Sequence, residues 1–431
     1  MNKKLLLILF LALILRLISL NQSLWLDEGI QWWAVTTFPL KHLVTEYIKG
    51  DFNPPLFHVV LYFWVKLFGD SEIALRLPSV LSGLGTVYFI YKIGGLRAAL
   101  LGATAPLLIY YSQEARMYSL AAFTATATLY FLIKKSKYYF IFAILMLYSH
   151  YLTWLLIPML LVLHLLPTLL ALAFLIPWLP ILWSQLNQGL GAATNPIWAG
   201  LSSLSLKNIF LVPIKFLIGR LPVDFNFYYA FTLFIPLCLA AYLIFKARNK
   251  LLYAWSFTPL ILGAFISLKI PVFSYFRFLF VLPAFYLLLV LGAAKTRYSN
   301  LLIGFFIGIN LLAASRYLLD ANLHREDWRS AISYIHATDP NSQVLIISAT
   351  YSPFEYYDRE QSSHIHETDL NRLINQPSVW YIPYAQPIFD PDDKIRRTLD
   401  KLGFKAVSER HFRGVTVIRY ENPKAKLFSK I

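Results

Sequence analysis

Two things are scarce in this chain of 431 residues. Cysteine occurs once, at Cys238 inside an apolar run. A single cysteine excludes a disulfide within the chain and a cysteine-based metal centre, and in that setting it reads as a core residue. Charge is the second scarcity: Asp, Glu, Lys and Arg make up 14% of the residues, against about 25% in soluble proteins. A chain so poor in charge and 58% hydrophobic is expected to lie mostly in lipid. No glycine-rich nucleotide fingerprint, P-loop or internal repeat occurs. No small-x-small cleavage site follows the first apolar run, so that run reads as an uncleaved first span behind Lys3 and Lys4.

Aromatic residues, by contrast, are plentiful: 16% of the chain, with 27 Tyr and 11 Trp, suits helix ends at membrane interfaces. The net charge of +16 does not point to a nucleic-acid partner. The Lys and Arg sit in short caps between apolar runs, as the positive-inside rule requires. Taking Lys3 and Lys4 as cytoplasmic, the apolar runs 5–20, 72–93, 97–111, 117–133, 138–150, 153–166, 168–183, 227–245, 251–268, 278–294 and 299–315 give about eleven spans. They place the clusters at Lys92/Arg97, Lys134–Lys137, Lys246–Lys250 and Lys295/Arg297 on the cytoplasmic side. The run 54–69 is short for a span and is read as a helix lying on or dipping into the outer surface in the first outer loop, with an ordinary second span as the alternative. The stretch 184–226 is too long and too rich in Gly, Asn and Ser for a simple connector.

Residues 316–431 change character. Apolar residues recur at helical spacing in 326–335 and 394–402. Short β-rich runs occur at 344–347, 379–382 and 415–418. This alternation predicts a small α/β domain outside the membrane. The expected organisation is therefore a polytopic α-helical membrane domain, 1–315, followed by an extracytoplasmic α/β domain, 316–431.

Four polar constellations interrupt the apolar background on the outer side of this topology, where a charge at membrane depth is costly and defaults to a functional reading. The first is Asp27-Glu28 in Leu24-Trp25-Leu26-Asp27-Glu28-Gly29. A carboxylate there can accept a proton from an attacking hydroxyl, although an acidic pair can also simply stop a span. The second is Asp51-Phe52-Asn53-Pro54-Pro55-Leu56-Phe57-His58. Its double proline marks a helix start, where Asp51 can simply be the stabilising charge, and His58 either touches substrate or a metal or is a satisfied interfacial histidine. The third, Ser71-Glu72 to Ser79, spaces Glu72 and Arg76 for pairing on one helix face or frees Arg76 for substrate. The fourth, Tyr110 to Tyr118, holds Glu114 and Arg116, and a guanidinium there suits a phosphate. Asp51, His58 and Glu114 could ligate a divalent metal, but no recognisable metal-ligand spacing joins them, so no metal is assigned.

These elements, in this order, resemble the dolichyl- and polyprenyl-phosphate-sugar glycosyltransferases, a family with the GT-C fold that includes protein O-mannosyltransferases and the aminoarabinose transferase of lipid A. The resemblance rests on Leu24 to Gly29, Asn53-Pro54-Pro55-Leu56, Phe68-Gly69-Asp70-Ser71-Glu72 with Arg76-Leu77-Pro78-Ser79, and Ser112-Gln113-Glu114-Ala115-Arg116-Met117-Tyr118. Ser149-His150-Tyr151 and Arg277, ahead of a span containing Pro283, add to it. It is close over about the first 150 residues and looser to 315. The longer sequence pattern of the aminoarabinose transferase is not found, so that substrate is not carried over. The large luminal insert of the protein O-mannosyltransferases is also missing.

The resemblance implies sugar transfer, with inversion, from a polyprenyl-phosphate donor to an acceptor on the extracytoplasmic face of the cell membrane. It implies Asp27, beside Glu28, as the base or as the residue that binds the acceptor, Glu114 by the donor, and Arg76, Arg116 and Arg277 as candidates for the lipid phosphate. His150 and Tyr151 are further candidates. Two rival classes remain open. A transporter or flippase would tend to show repeated halves and polar residues at mid-span. A non-catalytic lipid-binding subunit would keep the same fold.

Overall fold

The computed structural model describes residues 2–192, 200, 202–222, 227–340, 342–359, 364–374 and 376–423. Contacts divide the chain into two compact units. A helical unit comprises Met1–Leu20 and Val35–Ala321. An α/β unit comprises Asn21–Ala34 and Asn322–Ile431.

In the helical unit each run read as a span is helical over most of its length. Among the described residues, four helices are long and apolar enough to cross a membrane: Glu72–Thr104, Leu165–Gln188, Tyr275–Ala294 and Ser299–Leu319. Leu56–Phe68, Tyr118–Ile133, Tyr138–Leu147 and Lys250–Ile266 are apolar but shorter, so a count of eleven crossings does not follow from length. The first of the four is two helices in one. Gly95 leaves helical geometry at φ 75°, ψ −168°, a conformation open to glycine because it lacks a Cβ. Past it the chain folds back, and a Cβ on Gly102 would lie 2.8 Å from Ile90 Cδ1. The expected separation of 72–93 from 97–111 is therefore a hairpin turning at Gly95. Pro54-Pro55 precedes the helix Leu56–Phe68. At 1.5 Å per residue its 13 residues reach about 20 Å, short of the roughly 30 Å of a hydrocarbon core.

Helix ends in an apolar surround leave carbonyls that water cannot satisfy, and buried polar side chains supply the missing donors. Helix Lys3–Leu17 is braced at its C-terminal end. Gln113 Nε2 donates to Arg16 O (3.1 Å) and Ile18 O (2.6 Å), and Arg76 Nη1 donates to Leu20 O (2.7 Å). The buried Arg16 guanidinium donates to Ser112 Oγ (3.1 Å), Ala12 O (2.9 Å) and Ala103 O (3.2 Å). In helix Tyr118–Ile133, Thr124, Thr126 and Thr128 turn their hydroxyls back to carbonyls four residues earlier, at 2.9, 2.6 and 2.7 Å. Cys238, expected in the core, is exposed on helix Phe227–Ala247. In a protein that lies in lipid the outer surface is apolar as well, so an apolar run does not distinguish core from lipid-facing positions.

The α/β unit is built on strands β1 (Gln343–Ile346), β2 (His364–His366), β3 (Ser378–Ile382), β4 (Lys405–Phe412) and β5 (Val415–Glu421), in spatial order β2-β1-β3-β5-β4. β1 pairs in parallel with β2 and β3, while β5 is antiparallel to β3 and β4. Alternation along the strands sends Val344, Ile346, Trp380 and Ile382 to one face, where helices Trp328–Thr338 and Tyr351–Tyr357 supply Trp328, Ile332, Ile335 and Phe354. Leu345, Ile347, Val379 and Tyr381 face the other way, against Ile395 and Leu399 of helix Lys394–Lys401. The five elements expected from the sequence are present. β2 and β4 were not foreseen. β4 carries Lys405, Glu409, Arg410 and His411 and is exposed along seven of its eight residues, so it has no apolar alternation to read.

Candidate functional site

The candidate residues fall in both units.

In the helical unit, the loop 47–55 is shaped by one buried side chain. Gln185 Nε2 donates to Ile48 O (2.6 Å), Asn53 O (3.2 Å) and, at closer range, Asp51 O, while its carbonyl accepts from Tyr151 OH. Trp178 Nε1 donates to the same hydroxyl at 2.8 Å. So clamped, Asp51 presents its carboxylate to His58 Nε2 at 3.2 Å and accepts from Asn53 Nδ2 at 2.7 Å. Burial pushes the Asp51 carboxyl up. His58 and the charge of Arg116, with the Asn53 bond, outweigh it and hold the group at about 2. The charges of Arg277, Arg116 and Asp51 all act on buried His150. His150 Nδ1 itself caps the turn by accepting from Leu152 N at 3.1 Å.

Asp51, His58, Arg116, His150 and Arg277 therefore form one neighbourhood. An aromatic run lines it: Tyr111 and Tyr118 (5.1 Å between ring centres), Tyr118 and His150 (5.7 Å), and Tyr118 and Phe276 (5.5 Å). The Arg277 guanidinium sits 5.7 Å from the Phe276 ring centre and donates to Pro271 O at 3.0 Å. Glu114 is buried, and its charge acts on Tyr111, Tyr275 and Arg220. Arg76 is fully buried and spends one donor on the backbone of Leu20.

Two cations here escaped the sequence reading. Arg220 retains accessible surface but lies 4.9 Å from the ring centre of Tyr110. Buried Lys215 lies 5.7 Å from the Tyr275 ring and donates to Leu221 O. Burial, and then the neighbouring Arg220 charge, push its ammonium down to about 8. Both sit in the stretch 184–226. The signal that could have found Lys215 is a lone lysine inside the apolar run Ile209–Ile218.

In the α/β unit, Asp27 and Glu28 occupy the first turn of helix Leu26–Thr37, where the helix dipole favours negative charge. The preceding segment is tied down at several points. Leu24 N donates to Tyr357 OH (2.8 Å), Arg325 N to Gln22 Oε1 (3.1 Å), and Arg329 Nη2 to Asn21 O (2.8 Å). Glu28, fully buried, lies 3.8 Å from the buried Arg325 guanidinium. Asp27 is half-buried. The pair thus packs with residues some 300 positions later in the chain. Among the described residues, no group of three or more His, Cys, Asp and Glu side chains converges to hold a metal.

Among solved structures, the chain is similar to ArnT from Cupriavidus metallidurans in two states. With the apo state the TM-score is 0.57 at 14% identity, covering 96% of this chain and 97% of that one. With ArnT bound to undecaprenyl phosphate it is 0.56 at 13% identity, with the same coverage. No family model matches the sequence, and no curated protein matches it. Likeness at such low identity is likeness of fold. It extends over nearly the whole of both chains, and it is the fold that the ordered motifs of the first 150 residues led one to expect. The chain is accordingly a membrane protein with the GT-C fold.

Proposed function

We propose that the protein is a membrane glycosyltransferase that moves a sugar from a polyprenyl-phosphate carrier to an extracytoplasmic acceptor, whether a glycolipid, a cell-envelope polymer or a protein. The observation that carries this reading is the whole-length likeness of fold to ArnT, one structure of which is bound to undecaprenyl phosphate. The charged and aromatic neighbourhood of the helical unit suits such a donor. Arg116 and Arg277 are the cations for the phosphate, and Lys215 and Arg220 join them. Arg76 contributes its charge while bracing the first helix, and Glu114 lies on the donor side.

In the reaction, the acceptor oxygen bonds to the anomeric carbon as the bond from that carbon to the phosphate oxygen breaks. Attack from the face opposite the phosphate inverts the centre. Asp27 takes the acceptor's proton, and the cations stabilise the negative charge left on the polyprenyl phosphate. No nucleotide is required, since the phosphate is already a competent leaving group. The basic caps give the orientation: N-terminus in the cytoplasm of a cell-membrane protein, with Asp27 and the α/β unit outside.

The test is transfer by purified protein in lipid, offered a panel of polyprenyl-phosphate sugars, wild type beside Asp27→Asn. Loss of about 1,000-fold or more is expected for removal of a general base. Full transfer by a well-folded Asp27→Asn protein would sink the assignment.

A further inference from the structure

The residues packed around the acidic pair include a third carboxylate that the proposed reaction does not yet use. Glu326 Oε1 accepts from Tyr384 OH at 2.8 Å, and Glu326 Oε2 accepts from Leu26 N at 3.4 Å. Leu26 opens the helix whose next residue is Asp27. The first amides of a helix have no partner within it, so Glu326 serves the start of this helix from a segment 300 residues away.

Glu326 is itself fixed from behind. Arg413 Nε donates to Arg325 O at 2.6 Å, and Asp327 N donates to Arg413 O at 2.8 Å. These bonds tie the segment Arg325–Asp327 to the turn between β4 and β5. The next residue in that turn, Gly414, has φ +72°, and a Cβ there would lie 2.6 Å from Glu326 Cγ. Only a residue without a side chain lets the turn close over this carboxylate.

The groups that act on Glu326 are Asp27 and the Leu26 amide from helix Leu26–Thr37, Tyr384 from the loop after β3, and Arg325 beside it. Glu28 lies 3.8 Å from the Arg325 guanidinium. Asp327 is turned away to cap helix Trp328–Thr338 through Ser330 N at 3.1 Å. Burial raises the Glu326 carboxyl above its ordinary range. Tyr384 and the Leu26 amide oppose that, Asp27 adds to it, and Arg325 draws it back. The influence between two carboxylates is mutual, so the Glu326 charge also favours protonation of Asp27.

We propose that Glu326 is a positioning residue for Asp27: it anchors the helix turn that carries Asp27, and its negative charge keeps Asp27 a strong proton acceptor. In this way the β4–β5 turn and the Arg325–Asp327 segment become part of the transfer machinery. The inference rests on the reading of Asp27 as base.

The experiment is transfer by the full-length protein in lipid nanodiscs between pH 4 and 9, using the donor the wild type accepts. The variants are Asp27→Asn, Glu326→Gln and Tyr384→Phe. Glu326→Gln should lower kcat by about 10-fold, leave KM for the donor unchanged, and move the acid limb of the kcat/KM profile down by about one pH unit. Tyr384→Phe weakens the stabilisation of the Glu326 anion, so it should shift the limb the same way by less. That variant keeps the proposal testable if Glu326→Gln does not fold. Folded Glu326→Gln and Tyr384→Phe proteins with the wild-type limb, beside an inactive Asp27→Asn, overturn this inference and leave the base assignment standing. Full transfer by Asp27→Asn removes the base assignment, and the inference falls with it.

Discussion

Removing the charge of Asp51 gives a direct measure of the polar neighbourhood in the helical unit. In Asp51→Asn the side chain keeps its shape but loses its attraction to His58, 3.2 Å away, and to Arg116. A carboxyl with an ordinary value of 3.8 that is held at about 2 in the folded protein contributes about 2 kcal/mol at pH 6. The sign follows from the depressed value. The contribution is complete above the ordinary value and is lost as the pH falls towards 2. At pH 2.5 only about a third of it remains. Asp51→Asn should therefore melt roughly 4 °C below wild type at pH 6, and the gap should narrow by more than half at pH 2.5. The assay is thermal unfolding of both proteins in the same detergent at the two pH values. A gap of equal size at both would show that Asp51 acts by its shape or through Gln185, not by its charge, and would refute the electrostatic account.

Three further expectations follow from the same structure. Arg325→Ala leaves Glu28 buried without its neighbouring guanidinium and should destabilise the α/β unit by about 3 kcal/mol, read by unfolding of the full-length protein. Lys215→Met with Arg220→Gln should weaken retention of polyprenyl phosphate about 10-fold. In the wild type that retention should also fall as the pH rises through about 8, where the Lys215 ammonium is neutralised, and Lys215→Arg should abolish this pH dependence. In a Cys238→Ser background, a membrane-impermeant maleimide on intact cells should label Glu409→Cys and reach Lys135→Cys only after permeabilisation, whereas the opposite pattern would invert the proposed orientation.

The sequence by itself determined what depends on local period and order. Apolar runs separated by basic caps specified the helices, because lipid forces each backbone amide to bond within its own segment. Continuous apolar, β-rich runs at Val344–Ile347 and Val379–Ile382 specified strands buried on both faces. The acidic pair, the double proline and the Glu114–Arg116 knot stood out as candidates because charge is conspicuous where so little of it occurs.

Tertiary structure decided the partners. It assigned Asn21–Ala34, with Asp27 and Glu28, to the same compact unit as the C-terminal sheet, through bonds spanning some 300 residues. It made β4 a strand by pairing it with β5 although its charged sequence has no strand pattern. It brought Gln185 to Asp51 and set Lys215 and Arg220 among tyrosines. It also turned Arg76 towards Leu20. Periodicity reports which face of an element is apolar. Which distant side chain returns to meet a given carboxylate depends on the path of the whole chain, and no local window of sequence records it.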